Sequence, residues 1–210
     1  MEVELKFLVD EAFIKDKIFQ DAHLQFISKG GNVETIHMRA IYFDTEDQSL
    51  LNKEMAYRIR YEDQRLVATL KWGGSADHGL HVRGELNVPV NEAFLEAPSV
   101  DIFHGSAIYE ELKETVGEKK LFPVMEMDFV RKEVHVDTGK SISVVSYDEG
   151  QIKTSKGNIP ISELEIELYS GCQEDMMALG NELAQKYNLK AGNKSKYQRG
   201  LECLGLAQQV

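Results

Sequence analysis

Hydrophobic and polar residues alternate with a period of two at the start of the chain. Residues 1–7 read Met-Glu-Val-Glu-Leu-Lys-Phe, so one face carries Glu2, Glu4 and Lys6 and the other is apolar. This alternation is typical of a β-strand with two unlike faces. A single strand of this kind is explained by an apolar face on a core and charges in water. Here, however, the pattern returns several times.

The same alternation predicts a series of further strands. They cover residues 33–43, 55–62, 66–72, 81–90, 124–136, 141–147, 151–155 and 161–169. Asp63 and Gln64 predict a tight hairpin connection. Residues 73–79 are expected to form a flexible loop, and Gly150 and Gly157 to mark turns.

Helical spacing of apolar residues predicts fewer helices. They cover residues 10–26 (with Phe13 on the apolar face), 48–51, 107–116 and 174–187, with a short last helix in 193–206. Many antiparallel strands with few helices indicate an α+β protein built on one large sheet or barrel. Since no linker or shift in composition interrupts the chain, we predict one domain over residues 1–210.

Composition narrows the class of protein. The 210 residues carry a formal net charge of −11, which argues against general nucleic-acid binding, although local cations can still hold a small polyanion. Two cysteines, Cys172 and Cys203, are too few for a disulfide framework and favour a reducing compartment. No apolar run is long enough to span a bilayer, and no secretory signal is expected. We therefore expect a cytoplasmic protein, monomeric or homodimeric, with no nucleic-acid or membrane partner.

The charged strand faces admit two architectures. Either an open sheet exposes them to water, or a closed barrel turns them inward around a solvated lumen, with helices on the apolar outer faces. The alternation alone leaves both open. The composition of these faces favours the barrel, because both signs of charge recur on them. The candidate cations are Lys6, Arg58, Arg60, Lys71, Arg83, Arg131 and Lys196, and the candidate anions are Glu2, Glu4, Glu85, Asp148, Glu165 and Glu167.

These residue types suit a metal-bound polyphosphate. Arginine forks, such as the pair Arg58 and Arg60, match the oxygens of phosphate. A Glu-x-Glu pair on a strand places two carboxylates on one face, roughly 7 Å apart along the backbone. Oxygen ligands of this kind suit Mg²⁺ or Mn²⁺ and not zinc.

An ordered set of motifs resembles the CYTH proteins, also called triphosphate tunnel metalloenzymes. The motifs are Glu2-Val3-Glu4-Leu5-Lys6, Tyr42-Phe43-Asp44-Thr45, Tyr57-Arg58-Ile59-Arg60, Thr69-Leu70-Lys71, Arg83-Gly84-Glu85, Asp148-Glu149-Gly150, Glu163-Leu164-Glu165-Ile166-Glu167-Leu168 and Ser195-Lys196-Tyr197-Gln198-Arg199-Gly200. Each motif is weak alone, but together they run in order from residue 2 to residue 200.

The resemblance implies a closed eight-stranded antiparallel β-barrel, a triphosphate tunnel with a polar interior and helices packed outside. Residues 79–83 and 161–165 are most similar to the bacterial inorganic triphosphatases. Many of those carry a helical CHAD domain after the CYTH domain, which we expect to be absent here. Asn87 stands where some members have a glutamate, so a third carboxylate on that strand is in question.

The resemblance also implies roles for single residues. The implied ligands of Mg²⁺ or Mn²⁺ are Glu2, Glu4, Asp148, Glu165 and Glu167. The implied phosphate-binding residues are Lys6, Arg58, Arg60, Lys71, Arg83, Arg131, Lys196 and Arg199. Arg199 has a second interpretation, as a tie between the last helix and the barrel.

The implied reaction is hydrolysis of inorganic triphosphate to pyrophosphate and phosphate, with Glu4, Glu85 and Lys71 as candidate catalytic residues. The general base stays open between a carboxylate and a second metal ion. The alternatives are a class IV type adenylyl cyclase, a thiamine or nucleoside triphosphatase, and a non-catalytic polyphosphate-binding module. Glu133 and Glu163 are interpreted as surface or ion-paired residues, and Tyr57 and Trp72 as packing outside the barrel.

Overall fold

Nine strands, all paired antiparallel, make up the sheet in a computed structural model that describes residues 1–10 and 14–206. They are β1 (Glu2–Leu8), β2 (Glu34–Thr45), β3 (Met55–Glu62), β4 (Arg65–Asp77), β5 (Leu80–Pro89), β6 (Leu121–Asp137), β7 (Ser141–Thr154), β8 (Gly157–Gly171) and the two-residue β9 (Lys190–Ala191).

The eight long strands close on themselves. Their order is β5-β4-β3-β2-β6-β7-β8-β1, and β1 pairs with β5 to complete the ring. In the closing register Glu2 lies opposite Arg83 and Glu4 opposite Glu167. Every long strand is thus paired on both sides, which leaves no long open edge. The predicted closed eight-stranded antiparallel barrel is confirmed.

Seven α-helices and one short 3-10 helix, Val100–Phe103, accompany the described strands. The α-helices are α1 (Ile14–Phe19), α2 (Ala22–Ile27), α3 (Ser49–Asn52), α4 (Ala93–Glu96), α5 (Tyr109–Val116), α6 (Gln173–Tyr187) and α7 (Lys196–Leu204). The prediction of a single helix over 10–26 is wrong, because α1 ends at Phe19 and a second helix, α2, begins at Ala22. The Asp21 side chain caps α2 by accepting from the backbone nitrogens of His23 and Leu24. The predicted position of Phe13 lies outside the described residues.

Two further predictions of local structure are wrong. The two strands predicted over 141–147 and 151–155 are one strand, β7 (Ser141–Thr154), and Gly150 lies within it. An added Cβ at Gly150 would lie 2.2 Å from the Asp128 carbonyl oxygen, so this glycine serves close strand approach and not a turn. Likewise residues 73–77 continue β4 past a bulge, and the turn falls at His78 and Gly79.

Two apolar clusters cover the outside of the barrel. One lies between α1, α2 and α6 and the outer faces of β6, β7, β8 and β1. The other lies between the helices of residues 93–116 and the outer faces of β3 and β4, where Tyr57 is fully buried against Phe103 and Trp72 packs at its edge. These outward apolar faces explain why the alternate, charged positions point into the barrel.

The third cluster lies at one end of the barrel, under α7. Leu201 and Leu204 pack there against inward residues of β6 and β7, among them Met125 and Ile152. An added Cβ at Gly200 would lie 2.3 Å from the Met125 sulfur, so a glycine permits this approach. The interior is therefore polar at its centre and apolar at the end that α7 covers.

The longest of the described helices is α6 (Gln173–Tyr187), with 15 residues. Nowhere in residues 1–10 and 14–206 does a helix combine the length and the apolar composition needed to cross a lipid bilayer.

Candidate functional site

A central cavity of about 100 Å³ lies inside the barrel, where the charged faces of the strands meet. It brings together most of the residues predicted from the sequence. Those that line it are Glu2, Glu4, Lys6, Arg58, Arg60, Lys71, Arg83, Glu85, Arg131, Glu165, Glu167 and Lys196. Asp148 and Arg199 are the two predicted residues outside this lining. The individual roles of all these residues remain predictions.

Arginines dominate one wall of the cavity. Arg58 and Arg60 alternate on β3, and Arg131 comes from β6. Burial lowers the pKa of Arg60, and the neighbouring Arg58 lowers it further, which shows how closely the positive charges are gathered. Arg58 donates from Nη1 to the Tyr42 hydroxyl at 3.3 Å, while its buried Nε has no hydrogen-bond partner in the described part of the chain. Arg60 donates to Glu62, and Arg131 donates to Asp148 and Glu165, so the Nε of Arg58 is the buried donor without a partner among these three described arginines.

Carboxylates dominate the facing wall, and Glu2 and Glu4 are paired there with cations. Glu2 accepts from Lys71 Nζ at 2.8 Å and from Arg83 Nε at 2.6 Å. Burial alone would raise the pKa of Glu2, but these two cations outweigh it and lower the pKa. Glu4 is held more loosely, at 3.4 Å from Arg83 Nη2 and 3.6 Å from Lys6 Nζ.

Glu85 is fixed from two sides on β5. Lys71 Nζ lies 2.5 Å from Glu85 Oε2, and Asn87 Nδ2 donates to Oε1 at 2.6 Å. Asn87 in turn accepts from the Thr69 hydroxyl at 2.7 Å. Burial would raise the pKa of Glu85, but Lys71 and Arg58 outweigh it and hold the pKa well below its usual range. Asn87 thus orients the ionised carboxylate of Glu85, and it does not itself supply a carboxylate at this position of β5.

Glu167 differs from the other cavity carboxylates. Its carboxylate makes no hydrogen bond or ion pair with the side chains of the described residues. Burial raises its pKa to about 7, helped by the nearby charges of Glu2 and Glu85. An uncompensated carboxylate beside two others attracts a cation.

Deeper in the barrel, a network of ion pairs surrounds Glu165. Its carboxylate lies 2.7 Å from Arg131 Nη2 and 2.7 Å from Lys196 Nζ, and it also contacts Lys6. Asp148 is fully buried behind it and binds Arg131 through both oxygens, at 2.7 Å each. Lys196 Nζ lies 2.8 Å from Asp148. In this structure Asp148 thus pairs with two cations, Arg131 and Lys196, outside the lining of the cavity, and its ligand role stays a prediction.

Glu163 also belongs to this ion-pair network. It is ion-paired as expected, but it is also fully buried, which the alternation of charges did not reveal. Its partners are Lys6 at 3.2 Å, Lys196 at 3.0 Å and Arg199. Arg199 also donates to the Pro160 carbonyl. These contacts match the second interpretation of Arg199, a tie between α7 and β8.

Some cavity residues were not predicted as site residues. Tyr42 and Tyr197 line the cavity with their rings stacked 4.8 Å apart, and Phe129 lies near the Lys196 ammonium. Tyr42 opens the Tyr-Phe-Asp-Thr motif, which was the available signal. The motif's Asp44 has a structural role, because its carboxylate accepts from the backbone nitrogens of Leu50 and Leu51 and so holds α3 against β2.

The donor set can be tested for a divalent metal. Within residues 1–10 and 14–206, no three His, Cys, Asp or Glu side chains already stand in a metal-binding arrangement. Lys71 and Arg83 occupy both oxygens of Glu2, whereas Glu4 meets cations only through Oε1. The donors are nevertheless all hard oxygens, and Glu167 has no cation of its own. The residues present therefore fit a magnesium-type ion that replaces part of the ion pairing.

The closed antiparallel barrel encloses a cavity in which an arginine wall faces a carboxylate wall. The CYTH domain model matches residues 1–201. The inorganic triphosphatase of Haemophilus influenzae is 35% identical over 159 residues, which cover 76% of this chain and 44% of that protein. The chain thus spans less than half the length of this curated relative.

Solved structures agree with the fold. A Hippeastrum protein, described as a candidate adenylyl cyclase with a dominant triphosphatase activity, aligns with a TM-score of 0.73 at 17% identity over 96% of both chains. A candidate adenylate cyclase from Bacillus halodurans aligns with a TM-score of 0.62 at 20% identity, over 95% of this chain and 96% of its own. The chain belongs to the CYTH family.

Proposed function

We propose that this protein is a metal-dependent triphosphatase that hydrolyses inorganic triphosphate to pyrophosphate and phosphate. The observation that carries the proposal is the division of one enclosed cavity into an arginine wall and a carboxylate wall. A binding module for polyphosphate needs the cations alone. The relative from Haemophilus influenzae, an inorganic triphosphatase, supports the same substrate.

The chain's own cations would hold the substrate. Arg58, Arg60 and Arg131 present guanidinium groups to one cavity, and the free Nε of Arg58 is a ready donor. Lys6 and Lys196 lie deeper, where they exchange carboxylate partners for phosphate oxygens. Since the polyanion carries several negative charges, its transfer from water depends on this gathered positive charge.

Glu2, Glu4 and Glu167 are the residues that would hold Mg²⁺ or Mn²⁺, with Glu165 behind them. A bound ion of this type supplies charge neutralisation on phosphate oxygens. We assign Asp148, which was predicted with this set, to positioning Arg131 and Lys196, because it is fully buried outside the cavity lining.

Glu4 is the best placed of the two candidate bases. Its nearest cations lie at 3.4 and 3.6 Å, so an oxygen remains available to a water molecule. Glu85 is less suited, because Lys71 Nζ forms an ion pair with its Oε2 and Asn87 donates to its Oε1. Water would add to the terminal phosphorus as the bond to the bridging oxygen breaks, and its proton would pass to Glu4. Lys71 Nζ would offset the charge that develops on the departing pyrophosphate.

Phosphate release from tripolyphosphate, measured with Mg²⁺, with Mn²⁺ and with a chelator, tests the proposal. We expect metal-dependent release that chelation abolishes. Arg58→Ala should lower kcat/KM by roughly ten- to hundredfold, since a hydrogen bond to a charged group contributes about 1.5–3 kcal/mol. Arg39→Ala is the matched control, because Arg39 lies on the outer face and pairs with Glu126. No release under any of these conditions would reject the proposal, and cyclic AMP formed from ATP would support the cyclase instead.

A further inference from the structure

Residues 190–195 lead from α6 into α7, and we call them the entry segment. Its first two residues form β9, which pairs with the end of β1, whereas β5 pairs with the first residues of β1. Lys6 lies where the partner of β1 changes from β5 to β9. The Lys6 nitrogen donates to the Gly79 carbonyl oxygen at 2.8 Å, and the Lys6 carbonyl oxygen accepts from the Gly192 nitrogen at 2.9 Å. The turn between β4 and β5 and the entry segment therefore meet at Lys6.

Two side chains bind this turn and the entry segment to each other. The Oδ1 of Asn193 accepts from the Gly79 nitrogen at 2.8 Å. The Nε2 of His81 lies 2.8 Å from the Gly192 carbonyl oxygen. Since a carbonyl oxygen only accepts, Nε2 carries a proton and donates the hydrogen bond. We call these two hydrogen bonds the clasp. His81 is buried, so it reaches the entry segment from inside the fold.

Two glycines allow this close approach. Gly79 has a φ of +84°, and an added Cβ there would lie 2.6 Å from the Lys6 carbonyl oxygen. At Gly192 an added Cβ would lie 3.1 Å from the Cγ of Lys6. The motif of residues 79–83 thus supplies a glycine and a histidine that hold the entry segment, in addition to the arginine that lines the central cavity.

The clasp lies shortly before Lys196, a cation whose position is unfavourable on two counts. Its ammonium lies 2.7 Å from Oε1 of Glu165 and 3.0 Å from Oε2 of Glu163, and Lys6 contacts the same two oxygens. Two ammonium groups on one pair of oxygens repel each other. Lys196 is also the first residue of α7, where the positive end of the helix dipole disfavours a cation. Its position therefore depends on the backbone that precedes it.

We propose that His81 is a positioning residue for the phosphate site. By holding the entry segment, it keeps the ammonium of Lys196 beside that of Lys6. His81 does not line the central cavity, so its effect passes through residues 192–196. This inference rests on the proposed function and deepens it, because it names a residue that supports substrate binding without touching the substrate. Lys196 would hold phosphate in the ground state and the transition state alike, so its displacement should raise KM and leave kcat nearly unchanged.

Substitution of His81 tests this split between the two kinetic constants. His81→Leu removes the donor, and we expect the KM for tripolyphosphate to rise roughly tenfold, with kcat within about threefold of the wild type. His81→Gln keeps an N–H donor for the Gly192 carbonyl oxygen and should hold KM within about threefold. His37→Leu is the matched control, because it makes the same change at an exposed histidine that pairs with Asp128 on the outer face of β2. It should leave both constants unchanged.

A double-mutant cycle with Lys196→Ala shows whether His81 acts through this lysine. In the Lys196→Ala background, His81→Leu should change KM by less than about twofold, because the cation to be positioned is gone. Asn193→Ala breaks the other bond of the clasp at an exposed residue, and it should raise KM roughly threefold, but not in the Lys196→Ala background. Asn193→Ala replaces His81→Leu in the cycle if urea unfolding shows that His81→Leu does not fold. A rise in KM of equal size in both backgrounds, or an unchanged KM in both clasp variants, would overturn the inference.

Calorimetric binding of tripolyphosphate in chelator repeats the cycle without turnover. The dissociation constant should follow the same pattern as KM. If tripolyphosphate binds with this pattern but is not cleaved when metal is supplied, the positioning role stands and the triphosphatase proposal fails. If the wild type cleaves tripolyphosphate and the cycle shows no coupling between His81 and Lys196, the positioning role fails and the triphosphatase proposal stands.

Discussion

Glu163 offers the sharpest test of how the charged interior is stabilised. Its carboxylate is fully buried and faces the ammonium groups of Lys6 and Lys196 and the guanidinium of Arg199. Glu163→Gln keeps the shape of the side chain and removes its charge. Three cations then face a neutral amide in a space without bulk water.

The expected loss in the free energy of unfolding depends on which carboxylate partners these cations retain. Removing one partner of a buried ion pair costs about 3–5 kcal/mol. Lys6 retains Glu165, and Lys196 retains both Glu165 and Asp148, so we expect the lower end of that range. For 210 residues, a loss of about 3 kcal/mol corresponds to a melting temperature lower by roughly 7 °C.

Glu167→Gln is the matched control on the same strand. The Glu167 carboxylate has no cation partner among the described residues, and its pKa is raised to about 7. A carboxyl whose pKa is raised on folding stabilises the protein below pH 4.5, and this stabilisation is lost as the pH rises toward 7. At pH 8 in chelator, Glu167→Gln should therefore preserve or raise the melting temperature.

Calorimetry and urea unfolding of both variants in chelator at pH 8 are the measurements. A loss below about 1 kcal/mol for Glu163→Gln would refute the reasoning, because it would mean that Glu165 and Asp148 suffice for the buried cations. An equal loss in Glu167→Gln would refute it as well, since the two carboxylates would then be equivalent.

Three further outcomes are expected. Hydrogen bonds from Lys186, Tyr187 and the α2 backbone outweigh burial and lower the pKa of Asp21 to about 2. The free energy of unfolding should therefore fall as the pH drops from about 4 to about 2. Asp21→Asn should remove this pH dependence, at a cost of about 1–2 kcal/mol in urea unfolding at pH 7. Gly84→Ala should lower stability by about 1–3 kcal/mol and shift the Trp72 emission, because the new methyl meets a rigid indole ring. Arg199→Ala should lower the melting temperature and leave the KM for tripolyphosphate within threefold; a large rise in KM would return Arg199 to the phosphate site.

The sequence by itself determined which side chains share a face. Strict alternation on β1, β3, β5 and β8 separates charged from apolar positions, because successive side chains of a strand point to opposite sides. Motifs in order along the chain indicated the family, and with it the closed barrel. Twelve of the fourteen predicted site residues line one cavity, in agreement with the barrel that these motifs implied.

Only the tertiary structure decided what those faces meet. Alternation does not say which distant strands pair, so the closure of β1 against β5 and β8 could not be read from it. It also treats Glu163, Glu165 and Glu167 alike, although their surroundings differ completely. Glu163 is buried among cations, Glu165 joins the network behind the cavity, and Glu167 has no partner. Those partners come from β1, β6 and α7, and so the role of each carboxylate depends on contacts that the local sequence does not contain.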